Sequence, residues 1–303
     1  MQLNEQRVIA ELNKKIVNTL NQAGVFFRIF GRSKSKESIK SKLDEKSPKY
    51  LRTSTKMQDY IGLRLGLYFA DDQRIVNDIL KRVYQLVGES VDHTESNIFG
   101  PTRWNLVFRL PNELIDEIDI YAIETLIDTT FEIQIRTILS EGWHEVEHDL
   151  RYKCQEVWSG HSDLSRALNG IYATLEMSDW AMLNIFEELA YRSYKKGDWS
   201  TMIRNKLRLH LLNYDIRPEI LTQLNKSKDI GKAFYRLKRE EIICKLFDLK
   251  HPVPLNANNM IFLANRLSVQ DDAILALEPD PIKAIFDQVF AQETVGGESV
   301  GHS

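Results

Sequence analysis

The pattern of apolar residues changes character near residue 155, and that change constrains the fold more than any other feature of the chain. Before it, strand-like and helix-like segments take turns. Val8, Ile9, Leu12, Ile16 and Leu20 recur at helical spacing over residues 4–23, and Ala23-Gly24 ends that helix. Residues 25–30 read as a strand, followed by a Lys/Ser-rich turn that opens a helix. Residues 43–58 are charged and carry Pro48, which predicts a mobile loop. Residues 60–69 read as a strand, and Asp71-Asp72 caps a helix running to about Leu86. Residues 105–110 and 129–136 give two more strands, and Ser140 starts another helix. After this point only helix remains. Residues 164–194 repeat Leu168, Ile171, Leu175, Met182, Ile185 and Leu189. Residues 199–290 are helical with breaks at Pro218, Pro252, Pro254, Pro279 and Pro281. The expected class is α+β: a mixed β-sheet flanked by helices, with an all-helical C-terminal extension. The expected units are 1–160, a helical segment 161–200 that packs on or extends it, and a helical accessory domain 201–295. Residues 296–303 lack an apolar anchor and are expected to be disordered.

A chain of 303 residues allows one large or two modest domains. Its net charge of −3 argues against a protein that coats nucleic acid non-specifically, and leaves room for a local basic patch. Cys154 and Cys244 are the only cysteines, so neither a disulfide framework nor a four-thiolate metal site is expected. The first residues lack the apolar core of a signal peptide. The apolar stretch 61–70 is broken by Arg64 and is too short to span a bilayer. A cytoplasmic protein with no membrane partner is the expectation.

Two segments carry candidate chemistry. In the first, Arg32 and Lys34 share one side of an extended backbone, and Ser38 and Lys42 share one face of a helix. A strand–turn–helix would aim these groups and a helix N-terminus at one point, which suits a triphosphate. The same residues also describe a solvated basic loop. In the second, Phe131, Ile133 and Ile135 alternate with Glu132, Gln134 and Arg136, which makes one face core and the other polar. The polar face points either to solvent or to a site. Asp59, ahead of the 60–69 strand, is either a turn residue or a second carboxylate. Asp59 and Glu132 together would satisfy the one or two carboxylates that Mg²⁺ on ATP takes from a protein. Farther on, His144-Glu145-Val146-Glu147-His148 matches the H-E-x-x-H pattern of zinc peptidases, with Asn184 and Glu188 downstream. A plain exposed helix with a Glu147–Arg151 pair explains the same residues.

The order and spacing of these motifs resemble the synthetase domain of the RelA/SpoT family, particularly the small alarmone synthetases. The matching residues are Arg32, Lys34, Ser38 and Lys42; Asp59 with Gly62 and Arg64; Glu132, Gln134, Arg136 and Thr137; and Trp143, Glu147, His148, Tyr152 and Lys153. The resemblance covers roughly residues 5–195. It implies a nucleotidyltransferase-like sheet and an enzyme that moves pyrophosphate from ATP to a nucleotide 3′-hydroxyl, making a (p)ppGpp-like alarmone. It further implies that Arg32, Lys34, Ser38 and Lys42 hold ATP and that Asp59 and Glu132 bind Mg²⁺. Glu132 would help deprotonate the acceptor, and Gln134, Arg136, His148 and Lys153 would shape the acceptor side. The family's G-Y-x-S-L-H segment, whose Tyr stacks on the acceptor base, is absent here. Phe99 or Trp104 is left to stack in its place, with Trp104 preferred beside Arg103. GTP or GDP is the favoured acceptor. Toxic relatives modify adenosine nucleotides or the tRNA 3′ end, and an inactive nucleotide-sensing module is a third reading. A homo-oligomer is also open.

Overall fold

The computed structural model describes residues 2–33, 56–91, 104–115 and 127–296. Lys34, Ser38, Lys42, Phe99 and Arg103 lie outside the described residues, as do most of the 43–58 loop and residues 297–303. The described residues begin with helix α1 (Gln2–Gln22) and strand β1 (Phe27–Ser33). Strand β2 (Ile61–Leu67), helix α2 (Asp72–Val83) and strands β3 (Leu86–Val91) and β4 (Trp104–Arg109) follow. A short helix α3 (Asn112–Ile115), strand β5 (Thr130–Thr137) and helix α4 (Ile138–Leu150) complete the alternating part. The remainder is helical, as expected.

The five strands form one sheet in the order β1-β2-β5-β4-β3. β2 and β5 run parallel, and the other neighbours run antiparallel. The sheet is therefore mixed and flanked by helices, which is the architecture that the sequence predicts. One face is apolar. Ile61, Leu63 and Leu65 of β2, Leu106 and Phe108 of β4, and Phe131, Ile133 and Ile135 of β5 are all buried there. Each such side chain contributes about 1.5–3 kcal/mol on burial. The Tyr84, Phe108 and Phe131 rings meet at centroid distances of 5.2–5.7 Å. Burial pushes the Tyr84 hydroxyl up to about 12.

α1 lies against β1 because its buried stripe of Val8, Ile9, Leu12 and Ile16 has helical period. The approach is close at Gly31: an added Cβ would sit 2.5 Å from Ile9 Cγ2 and 2.9 Å from Leu63 Cδ2. The glycine ahead of Arg32 is thus required by helix–sheet packing.

Three sequence expectations shift. α2 stops at Val83, where Tyr84 turns extended at φ −121°, ψ 149°, and residues 86–91 become an edge strand. Its Gly88-Glu89-Ser90 core lacks the apolar alternation of a half-buried strand, because only β4 needs to pair with it. Asp71 also precedes α2 without a side-chain cap bond. α4 begins at Ile138, two residues before Ser140. Thr137 is its N-cap, and Ser140 completes a reciprocal capping box with it.

Beyond α4 come a 3₁₀ turn (Tyr152–Cys154), α5 (Gln155–Trp158), the long helix α6 (Ser162–Lys196) and α7 (Trp199–Leu207). Then follow α8 (Pro218–Lys226), α9 (Lys228–Tyr235), α10 (Arg239–Asp248) and α11 (Ala257–Ala264). A π-helical turn (Asn265–Val269), α12 (Asp272–Leu275) and α13 (Asp280–Gly296) are the last described elements. Pro218 occupies the first turn of α8, where its missing N–H costs nothing.

The chain divides into two compact units. The first holds the residues up to Asn18 and Phe27–Ala181, including the sheet. The second holds Thr19–Phe26 and the chain from Met182 onward, and its buried core includes Met202, Ile220, Phe234, Ile243, Phe262 and Phe286. No helix among the described residues is long and apolar enough to cross a membrane.

Candidate active site

The strand registers build the site directly. On the face opposite the apolar core, Arg32, Gly62, Glu132 and Val107 lie in one row across β1, β2, β5 and β4. Phe30, Arg64, Gln134 and Asn105 form the next row. Arg28, Gly66 and Arg136 form the third. Arg32 and Glu132 are thus brought together with only a glycine between them. An added Cβ on Gly62 would meet just the Arg32 carbonyl oxygen, at 4.0 Å, among the described residues. The row therefore has a cation on one side, a carboxylate on the other and open space at its centre.

Glu132 is held by a chain of hydrogen bonds. Gln134 Nε2 donates to Glu132 Oε2 at 3.0 Å, and Arg136 donates to Gln134 Oε1 at 2.7 Å. Arg136 also donates to Glu141 Oε2 at 2.8 Å, and Arg64 reaches Glu141 Oε1 at 3.4 Å. Arg64 pairs with Glu145 as well. Arg136 is buried, so its guanidinium works inside this network and orients the amide that orients Glu132.

Arg64 is the electrostatic hub. Burial lowers its pKa first and the Arg32 charge lowers it further, while Glu141, Asp149 and Glu132 oppose. One guanidinium therefore senses β1, β5 and both ends of α4. The C-terminal end of α4 carries His148 and, beyond it, Lys153. Asp149 Oδ1 lies 3.0 Å from His148 Nδ1 and accepts from Lys153 Nζ at 2.6 Å. The Lys153 bond, then His148, holds the Asp149 carboxyl below its usual range. The His148 and Tyr152 rings are parallel within 11°.

Trp104 is not brought to this face. It is registered against Ile135, and its Nε1 donates to Glu89 at 2.6 Å beside Lys81. Its parity with Leu106 and Phe108 assigns it to the other side of the sheet. The acceptor-stacking role expected of Trp104 is therefore unsupported by its position.

Asp59 lies three residues ahead of Gly62, the residue registered with Glu132, and its Oδ1 is buried. Asp59 and Glu132 carry hard oxygen donors of the kind Mg²⁺ prefers, Glu132 in register with Gly62 and Asp59 on the segment ahead of β2. The H-E-x-x-H match has a different fate. His144 is buried against the Trp143 and Tyr172 rings, whereas His148 faces Asp149. No group of three or more His, Cys, Asp or Glu among the described residues is arranged to hold a metal. Glu147 pairs with Arg151 across one helical turn, as a plain helix would have it.

Sequence reasoning missed Glu141 and Asp149 as network members, and missed Asp179 of α6 altogether. Thr137 Oγ1 donates to the buried Asp179 Oδ2 at 2.6 Å, tying the β5–α4 junction to α6.

Residues 31–157 match the family model described as the region found in RelA / SpoT proteins. Those residues are similar to that region. The GTP pyrophosphokinase YjbM of Bacillus subtilis is 32% identical over 130 residues, which cover 41% of this chain and 56% of that relative's length. The chain therefore spans little more than half of the curated relative it matches. The small alarmone synthetase 1 of Bacillus subtilis, bound to its product pppGpp, is 26% identical, with 61% of this chain and 94% of that chain covered and a TM-score of 0.47. The small alarmone synthetase 2 of the same organism is 24% identical, covering 61% and 96%, with a TM-score of 0.48. The matched residues contain the Arg32–Gly62–Glu132 row and the Gln134–Arg136–Glu141 network, and they extend through Lys153.

Proposed function

We propose that the RelA/SpoT region is a pyrophosphokinase that moves the β,γ-pyrophosphate of ATP to the 3′-hydroxyl of a nucleotide. The observation that carries this reading is the Arg32–Gly62–Glu132 row. It supports the reading because a cation, Arg32, and an anchored carboxylate, Glu132, flank a glycine whose added Cβ would meet no side chain within 4 Å among the described residues. Pyrophosphoryl transfer needs positioning and charge neutralisation, with one proton to remove.

In this reading Arg32 holds the ATP phosphates together with Lys34, Ser38 and Lys42. Glu132, oriented through Gln134 by Arg136, accepts the 3′-hydroxyl proton. The acceptor oxygen attacks the β-phosphorus, the bond to the α–β bridging oxygen breaks, and AMP leaves. Mg²⁺ at Asp59 and Glu132 would supply further neutralisation of phosphate charge. His148 and Lys153, both bound to Asp149, would shape the acceptor side. A guanosine nucleotide is the favoured acceptor, because a curated relative is named a GTP pyrophosphokinase.

The experiment is incubation with Mg²⁺, γ-labelled ATP and, separately, GTP, GDP, ATP, AMP or bulk tRNA. Label in a guanosine product supports alarmone synthesis. Label only in adenosine nucleotides or tRNA moves the protein to the toxic relatives. Label in none of them leaves a nucleotide-sensing module.

A further inference from the structure

The second unit carries a feature that the transfer reaction does not use. α9 buries Phe234 and Gly231, and the latter sits so close to Trp199 that an added Cβ would lie 2.3 Å from its ring. Its outer stripe is different. Lys228, Lys232 and Tyr235 follow at i, i+4 and i+7 and share one face. Tyr235 stacks on Tyr194 of α6 at 5.1 Å and 12°, and meets Tyr191 at 5.8 Å. Lys195 Nζ lies 5.4 Å from the Tyr191 ring centre, and 39% of Tyr191 is exposed.

The nearby acids are already committed. Glu187 binds Lys206 and Arg208, each at 3.0 Å, and Glu188 binds Arg192 at 2.7 Å. Lys195, Lys228 and Lys232 hold no ion pair among the described residues. Between Lys226 and Arg236 the only acid is Asp229, against the exposed cations Lys226, Lys228, Lys232 and Arg236; Lys238 is paired with Glu241 at 3.1 Å. A chain of net charge −3 thus concentrates uncompensated positive charge beside a tyrosine platform.

We propose that the face formed by Tyr191, Tyr194 and Lys195 of α6 and Lys228, Lys232 and Tyr235 of α9 binds single-stranded nucleic acid. Unpaired bases offer flat faces to tyrosine, and the lysines track the phosphates. A duplex hides its base faces and would use only the lysines. The proposal is independent of catalysis, because every residue in it lies outside residues 31–157.

The test uses the full chain carrying Glu132→Gln, without ATP, so that turnover plays no part. Fluorescence anisotropy is measured with labelled oligo(U) and oligo(dT), with a blunt duplex, and with an acidic peptide and anionic vesicles as competitors. Both single strands are expected to bind, more weakly as salt rises. Tyr191→Ala should weaken binding about tenfold, and Tyr191→Phe should restore it. Replacing Lys228 and Lys232 together by Gln should flatten the salt dependence by roughly 0.7 per lost phosphate contact, with unchanged melting temperature. The proposal is overturned if neither strand binds at low salt, if the duplex binds equally well, if the variants bind like the parent, or if only the peptide or vesicles compete.

Discussion

Gly62 is the residue whose absence of a side chain matters most to the proposed chemistry. It separates Arg32 from Glu132 in one row of the sheet, and the space above it is open among the described residues. Valine suits a central strand and would fill that space. Gly62→Val is therefore expected to fold with a melting temperature close to the parent and to lose transfer by at least about two orders of magnitude, the scale of displacing one preorganised charge contact. Full activity in a folded Gly62→Val protein would show that the reaction lies elsewhere. The alternation of Glu132, Gln134 and Arg136 was legible in the sequence because a strand has period two. The same alternation, once the register pairs Trp104 with Ile135, puts Trp104 with Leu106 and Phe108 and not in the acceptor-stacking place expected of it. The network through Glu141 was not legible: Arg136 and Glu141 are five residues apart across a helix cap, a spacing that neither strand nor helix periodicity singles out.

At the scale of elements, the junction between β5 and α4 sets the geometry of the site. Thr137 accepts from Ser140 N as the cap and donates to Asp179, so one hydroxyl serves both bonds. Asp179 is buried, and burial raises its carboxyl above the ordinary value; Thr137 opposes and Glu176 adds. A raised carboxyl is best tolerated below its unfolded value, about 3.9, and costs stability as pH rises through the folded value. Asp179→Asn removes that cost. Its melting temperature relative to the parent should climb as pH is raised from about 4 toward neutrality. A difference that stays flat across this range would show that Asp179 does not titrate upward. This contact was invisible in the sequence because Asp179 reads as one more polar residue on a long helix. β3 escaped for a related reason: an edge strand paired on one side needs little apolar signal.

At the scale of the whole molecule, the sheet, the change of character and the helical remainder followed from periodicity alone. Periodicity does not say where one unit ends inside a continuous helix. α6 supplies the first unit with Leu168, Tyr172 and Asp179. Trp143 Nε1 donates to Leu168 O at 2.9 Å and its ring meets Tyr172 at 4.9 Å. Arg151 donates to Asn169 at 2.8 Å. A chain ending at residue 181 keeps all of these, and one ending at 160 loses them. Near-ultraviolet circular dichroism should show an ordered Trp143 environment in 1–181 and a collapsed signal in 1–160. Equal signals and equal unfolding midpoints would mean that α6 is dispensable to the unit.

Glu132 is proposed to receive the acceptor proton at a pyrophosphoryl-transfer site. The most direct measurement follows label from γ-labelled ATP into a 3′-pyrophosphorylated nucleotide, with the parent and Glu132→Gln compared at matched folding. Labelled product and stoichiometric AMP are expected from the parent, and a loss of at least about two orders of magnitude in the variant with its fold intact. Equal product from both proteins would contradict that role.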